Sequence, residues 1–357
     1  MIQLDFKNPD DHRMLQALCR RYGIHYSRPG NGICHYVHIE RYAKPGGILV
    51  GADSHTTTSG ALGMIAIGAG GLDVAVAMAG HPYEIACPEV VEVWLDGALR
   101  RPWVQAKDVI LELLRRLSVR GGKNKMFEFT GPGTRDLSVP ERGTIANMIA
   151  ELGATAAVFP PDESTLDWLR RQQREGDFAE LAPEPGCGYD DRVEIDLAEL
   201  GPLVAKPQNP DNVVPVEEVA GTAVEQVCIG SSVNSAYVDL ALPGAILADR
   251  DGQLVHERVT ATATPGSRQI LVAIAESGVY RQLVEGGVRM LEPVCGPCVG
   301  MGQAPPSDAW DEAVAGWRTL AALHGLIEAQ VGRAPDAPAA TRCGRSGARA
   351  RRVADSL

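Results

Sequence analysis

The sequence predicts an α/β protein: three consecutive α/β/α units with mostly parallel sheets around a shared cleft. Short β-branched apolar runs alternate with stretches whose apolar residues recur at helical spacing, the pattern of βαβ units. Polar and glycine-rich clusters sit where the runs end, which is where open parallel sheets place their ligands. The 357-residue chain is 45% hydrophobic but only 5% aromatic, with 39 Gly and 24 Pro, which suits a loop-rich α/β architecture better than a β-sandwich. The expected division is a first unit at residues 1–87, a second at 88–215, a third at 216–306 and a divergent tail at 307–357.

Residues 10–22 carry Met14, Leu15, Leu18 and Cys19 at helical spacing and predict a helix. A turn-rich loop around Arg28-Pro29-Gly30-Asn31-Gly32 leads into Ile33-Cys34-His35-Tyr36-Val37-His38, which reads as a short strand. His35 and His38 there read first as structural histidines. Ile48-Leu49-Val50 reads as a strand buried on both faces, and Asp53-Ser54-His55-Thr56 follows at once. The Glu89 to Asp96 run is the next strand, residues 106–117 the next helix, and Glu128-Phe129-Thr130 another strand leaving through a turn. A helix over 142–152 places Asn147 and Glu151 at i and i+4 on one face, which by itself reads as a solvated polar stripe. The shift to charge, Pro and Asn between 170 and 215 reads as a surface excursion and linker. The run 223–229 is a strand ending in Gly230-Ser231-Ser232-Val233-Asn234-Ser235.

A formal charge of -11 argues against a nucleic-acid partner, which needs a basic face. No apolar run reaches the roughly 20 residues of a membrane span, and the opening residues lack signal-peptide form, so cytoplasm is the expected compartment. The eight cysteines are scattered, and only Cys295 and Cys298 lie close together.

Asp53, Ser54 and His55 bring a carboxylate, a hydroxyl and an imidazole within one turn of chain, a set able to hold or pass a proton near neutral pH. The alternative is a helix cap made by Asp53 or Ser54. The glycines at 68, 70 and 71 do not form a dinucleotide fingerprint, because they lack the third glycine and the direct strand-to-helix setting. The Gly230 to Ser235 turn offers backbone N–H groups to an anion, with Ser231 and Asn234 as candidate substrate-binding residues, or is an ordinary helix cap. Cys295-Gly296-Pro297-Cys298 allows a redox dithiol, half of a zinc site or two ligands of an iron-sulfur cluster. A thioredoxin-like site is disfavoured by its late position and the short remaining chain, and zinc by the lack of a second Cys-x-x-Cys.

Taken together and in order, Asp53-Ser54-His55-Thr56, Asn147 through Thr155, the Gly230 to Ser235 turn and Cys295-Gly296-Pro297-Cys298 resemble the aconitase and isopropylmalate dehydratase family over residues 10–306. That resemblance implies a hydro-lyase acting on a small hydroxy di- or tricarboxylic acid, with a 4Fe-4S cluster as Lewis acid. It implies Cys295 and Cys298 as two iron ligands with Ser232 at the third position, where the family carries cysteine. It pairs His35 with Asp53 and His55 with Glu151, and it moves Asn147 from a solvated stripe to the site. A small swivelling-domain subunit is the implied partner.

Set against the family pattern, the sequence is expected to begin after the early Asp-His segment and to end before the swivelling domain. Gly344-Arg345-Ser346-Gly347 is a faint echo of the family's substrate-binding arginine loop. Residues 311–331 are expected to form an amphipathic helix and 341–352 to be disordered, with the tail divergent or partly out of frame. Two further readings remain open: a cluster-free relative that binds a carboxylate ligand or partner subunit without turnover, and a redox dithiol protein acting through Cys295 and Cys298.

Overall fold

The computed structural model describes residues 7–249 and 254–296. The expectations for Cys298 and for the tail after 306 lie outside those residues. Helix α1 (Lys7–Tyr22) leads into α2 (Cys34–Arg41), β1 (Ile48–Gly51), a 3-10 helix (Ser54–Leu62), β2 (Ile65–Gly68) and α3 (Gly71–Met78). Next come β3 (Glu89–Asp96), α4 (Ala106–Leu117), β4 (Lys125–Thr130), α5 (Val139–Met148) with a 3-10 extension (Ile149–Leu152), β5 (Ala156–Val158), α6 (Glu163–Arg171), β6 (Asp191–Asp196) and the pair β7 (Leu203–Ala205) and β8 (Val213–Pro215). The last described stretch holds β9 (Gln226–Ile229), α7 (Tyr237–Ala248), β10 (Thr260–Ala263), α8 (Arg268–Glu276), α9 (Val279–Glu285) and β11 (Arg289–Met290).

Three parallel sheets result. One is β1 with β2, one has the order β5-β4-β3-β6, and one has the order β11-β10-β9, while β7 and β8 pair antiparallel. The mixed α/β class with mostly parallel sheets is what the sequence predicts.

Two apolar cores hold these layers. One is made by the faces of β3, β4, α4 and α5 and includes Val93, Leu113, Phe127 and Phe129. The other gathers Tyr36, Ile39 and Leu62 from the early chain with Val227, Ile229, Ile274 and Leu283 from the late chain. Each fully buried Leu, Ile or Phe contributes on the order of 1.5–3 kcal/mol, so this second core fixes the turn after β9 against the loop after β1. Gly32 helps: at φ +138 it lets the chain before α2 press on Ser267, where a Cβ would lie 2.7 Å from Ser267 Cα.

Four local expectations need correction. Residues 34–41 are the helix α2, not a strand: Ile33, Tyr36, Ile39, Glu40 and Ala43 are buried, a helical spacing that the β-branched and aromatic content masked. Strand β1 is not buried on both faces, since Ile48 is 72% exposed. The glycines at 68, 70 and 71 do link a strand, β2, directly to a helix, α3, though the third fingerprint glycine is still absent. The 170–215 stretch is more than a linker, because β6 forms the edge of the central sheet beside β3. Its charges face outward, with Arg192 paired to Glu92 at 3.1 Å and Glu194 at 2.9 Å, as suits an edge that must not recruit another strand.

Candidate active site

The site is assembled where parallel strands end. The chain leaves β1 at Gly51 and enters the 3-10 helix through Asp53, whose Oδ1 accepts the His55 backbone N–H at 2.8 Å. The cap and the proton-handling set are therefore the same residues, and the cap fixes the imidazole's position. The helix then runs against β5 and α5 so closely that a Cβ on Gly60 would sit 1.8 Å from the Ala157 carbonyl oxygen.

His55 lies between two carboxylates. Its Nε2 is 3.0 Å from Glu151 Oε1, its Nδ1 is 3.1 Å from Ser54 Oγ, and Asp53 Oδ1 is 3.6 Å from Nδ1. Glu151 reaches the ring from the 3-10 extension of α5, so the helix over 142–152 changes its winding just where its carboxylate is needed. Burial alone would pull the His55 pKa down, but the hydrogen bonds and negative charge of Asp53 and Glu151 outweigh it and raise it to about 10. For Asp53 burial pulls upward, and the bonds to His55 with the neighbouring imidazoles bring the carboxyl down to about 2.

His35 takes the opposite state. It projects from the first turn of α2, is 5% exposed, and has Nε2 3.4 Å from Asp53 Oδ1. Burial pushes its pKa down to about 4; the Asp53 charge offsets this in part, and the His55 charge adds to it. Two imidazoles with ring centroids 6.1 Å apart thus sit in different protonation states at neutral pH, His55 charged and His35 neutral. Environments that push neighbouring pKa values apart are how acid and base roles are divided.

The raised His55 value has a stability consequence. The group contributes fully below its unfolded value near 6.5, and the contribution is lost as pH rises through about 10. The denaturant midpoint should therefore fall between pH 7 and 10, and His55→Asn should flatten that dependence.

Asn147 joins this cluster to the turn after β9. Its Nδ2 donates to Thr58 Oγ1 at 3.0 Å and to the Ser232 carbonyl at 3.2 Å, while Thr58 Oγ1 donates to the His55 carbonyl at 2.6 Å. Asn147 is buried, and its Oδ1 has no hydrogen-bond partner among the described residues. The solvated-stripe reading of this face is overturned.

The turn itself is tightly wound. Gly230 (φ +82), Ser231 (φ 146) and Asn234 (φ 53) all have positive φ, and Ser235 Oγ closes the turn by accepting the Ser231 N–H at 2.8 Å and donating to the Ser231 carbonyl at 2.7 Å. Ser231 Oγ lies 3.9 Å from Cys295 Sγ and accepts the Gly296 N–H at 3.4 Å. Asn234 Nδ2 donates to Asp239 Oδ1 at 2.9 Å, which leaves Asn234 Oδ1 buried without a partner among the described residues. A continuous set of contacts thus runs from His55 through Thr58, Asn147 and Ser232 to Ser231 and Cys295.

Sequence reasoning missed three participants. Thr58 gave no signal beyond being one of several threonines. Tyr36 accepts the Ser235 N–H at 2.8 Å and is recognisable only once α2 is known to be a helix. Cys34, next to His35, reads in isolation as a small apolar residue.

The model for the family described as "Aconitase family (aconitate hydratase)" matches residues 2–319. The chain belongs to the aconitase family. It is 41% identical over 299 residues to the 3-isopropylmalate dehydratase large subunit 2 of Archaeoglobus fulgidus, covering 84% of this chain and 71% of that one. It is 37% identical over 308 residues to the mitochondrial aconitate hydratase of Arthroderma benhamiae and 36% identical over 309 residues to that of Saccharomyces cerevisiae. In both cases it covers 82% of this chain but only 40% of the aconitate hydratase. A solved structure, aconitase X of Thermococcus kodakaraensis, overlays loosely, with TM-score 0.45 and 13% identity over 82% of this chain and 67% of that one. Proteins of the aconitase family normally bind a 4Fe-4S cluster. Among the described residues of this aconitase-family chain, no helix is long and apolar enough to cross a membrane.

Proposed function

We propose that the chain is a hydro-lyase that interconverts a small hydroxy di- or tricarboxylic acid and its unsaturated product, with Asp53, Ser54, His55 and Glu151 handling the proton. The observation that carries this reading is the placement of His55 between Glu151 at 3.0 Å and Ser54 at 3.1 Å, held charged at neutral pH. A cationic His55 donates through both ring nitrogens. Nε2–H is committed to Glu151, and Nδ1–H is donated to Ser54 Oγ, which leaves the serine's own proton free to be given away. Dehydration then needs two proton transfers: the ionised, partly exposed Asp53 carboxylate takes the proton from the carbon next to the hydroxyl-bearing one, while Ser54 Oγ–H passes its proton to the leaving oxygen and His55 Nδ1–H replaces it, so that the C–H and C–O bonds break as the C=C bond forms. His55 ends neutral with Nε2–H still on Glu151, and the reverse transfer serves hydration. Ser231 and Asn234, buried in the turn after β9, are proposed to line the position of a substrate carboxylate.

A 4Fe-4S cluster held by three thiolates does not fit the donors present. Cys295 is the one thiol at the β9 turn among the described residues, Ser232 puts a hydroxyl where the third sulfur belongs, and the Ser232 carbonyl is already engaged by Asn147. A hydroxyl holds its proton far more tightly than a thiol, and clusters select soft thiolates. No step above passes through a cluster.

The Ser232 replacement also favours a second reading, a family member that binds a carboxylate without turning it over. Assaying the full chain against citrate, isocitrate and 3-isopropylmalate, with and without an added small swivelling-domain subunit, separates the two. Appearance of the unsaturated acid that vanishes in His55→Asn supports the hydro-lyase. Saturable ligand binding with no product under either condition overturns it in favour of the binding protein.

A further inference from the structure

We propose that Cys34, His35 and Asp53 form a three-donor site for a single divalent cation of the zinc, ferrous iron or cobalt class. The ligating atoms of these residues lie within 4.8 Å of one another. His35 Nε2 is 3.4 Å from Asp53 Oδ1 and 4.0 Å from Cys34 Sγ. A tetrahedral ion with bond lengths of about 2.0–2.3 Å sets nitrogen to oxygen at about 3.4 Å and sulfur to nitrogen at about 3.6 Å. The first separation is already met, and the second needs a few tenths of an ångström from an exposed cysteine side chain.

The surroundings fit a metal better than a self-sufficient polar cluster. His35 is 5% exposed, and the hydrogen-bond and ion-pair partners of its ring nitrogens among the described residues are the other two donors alone. Asp53 is 44% exposed, which gives an ion a path in from solvent. Cys34 and His35 start α2 while Asp53 ends the loop after β1, so the donors come from two elements pinned to the same core.

Sulfur, nitrogen and oxygen together select a borderline cation over calcium or magnesium. Binding forms one metal–sulfur bond and releases the Cys34 thiol proton to solvent. Three protein ligands leave one position open, the pattern of sites that meet a substrate and not of purely structural ones. The site shares Asp53 with the proton relay, yet it does not depend on the proposed turnover, because binding is read directly.

The test is titration of the chelator-stripped full chain with Co²⁺ under anaerobic reducing conditions, following the thiolate-to-metal charge-transfer absorption, with Zn²⁺ competition giving the affinity. One equivalent should generate the band. Cys34→Ser should abolish it and weaken Zn²⁺ binding at least tenfold, while Asp53→Asn should weaken binding and keep a sulfur-derived band. The double variant Cys295→Ser, Cys298→Ser should behave as the parent. No band in the parent, a band that survives Cys34→Ser, or a band lost in the double variant would each overturn the proposal. Circular dichroism identifies a variant that has failed to fold, and the two single substitutions report on separate donors.

Discussion

Glu151→Gln should lower kcat for the hydro-lyase reaction by about 10²-fold or more, the range for losing a positioned proton donor, and should move the basic limb of the pH profile to lower pH. The side chain keeps its shape and still presents an oxygen to His55 Nε2, now 3.0 Å from Glu151 Oε1. What it loses is the charge that, with Asp53, holds His55 protonated up to about 10. With that charge gone the imidazole deprotonates earlier, Nδ1 ceases to donate to Ser54, and the relay stops at a pH where the parent still works. KM should change little, since the proposed role of Glu151 is exerted through the His55 ring. A loss of kcat with no movement of the basic limb would assign Glu151 a packing role only.

Gly60→Ala should be among the most destabilising single changes in the chain, costing ~3 kcal/mol or more, as overpacking against backbone does. The added Cβ would sit 1.8 Å from the Ala157 carbonyl oxygen and 2.8 Å from its carbon, and backbone cannot swing aside as a flexible side chain can. Relief would have to come from separating the 3-10 helix from β5, breaking the bond from the Phe159 N–H to the Gly60 carbonyl at 2.9 Å. That helix begins at Ser54 and His55, so lost stability and lost activity should appear together. Gly71→Ala is the control: nothing lies within 4 Å of its Cβ position and φ is not positive, so its urea midpoint should hold or rise slightly.

Much of this arrangement is legible in the sequence. Residues 106–117 alternate at helical spacing so regularly that the predicted helix and α4 coincide. The strand at Glu89–Asp96 is equally plain, being rich in β-branched residues and closed by a turn. Asp53, His55, His35, Glu151 and Asn147 were placed by motif order, and the structure brings all five together. Their pairing could not be read from spacing, because Glu151 meets His55 across 96 residues of chain through the packing of α5 on the 3-10 helix.

The misreadings have physical causes. In 34–41 a β-branched and aromatic composition outweighed a helical burial period of three to four residues that only tertiary packing reveals. In 191–196 Arg192, Glu194 and Asp196, charges that suit a linker, alternate with Val193 and Ile195, which pack into the core. The grouping of Cys34 with His35 and Asp53 is hidden in the sequence because residues 33–38 read as a strand, where neighbouring side chains point to opposite faces. In a helix they need not.

The proton relay requires that His55 be kept cationic and His35 neutral, with ring centroids 6.1 Å apart. Histidine ¹⁵N NMR of the chelator-stripped chain, titrated with pH, tests it directly. Both His55 nitrogens should remain protonated from pH 5 to 8 and titrate near 10, while His35 stays neutral until the pH approaches 4. If His55 titrates near 6.5 like a free imidazole, Glu151 and Asp53 do not hold its proton and the relay through Ser54 is wrong.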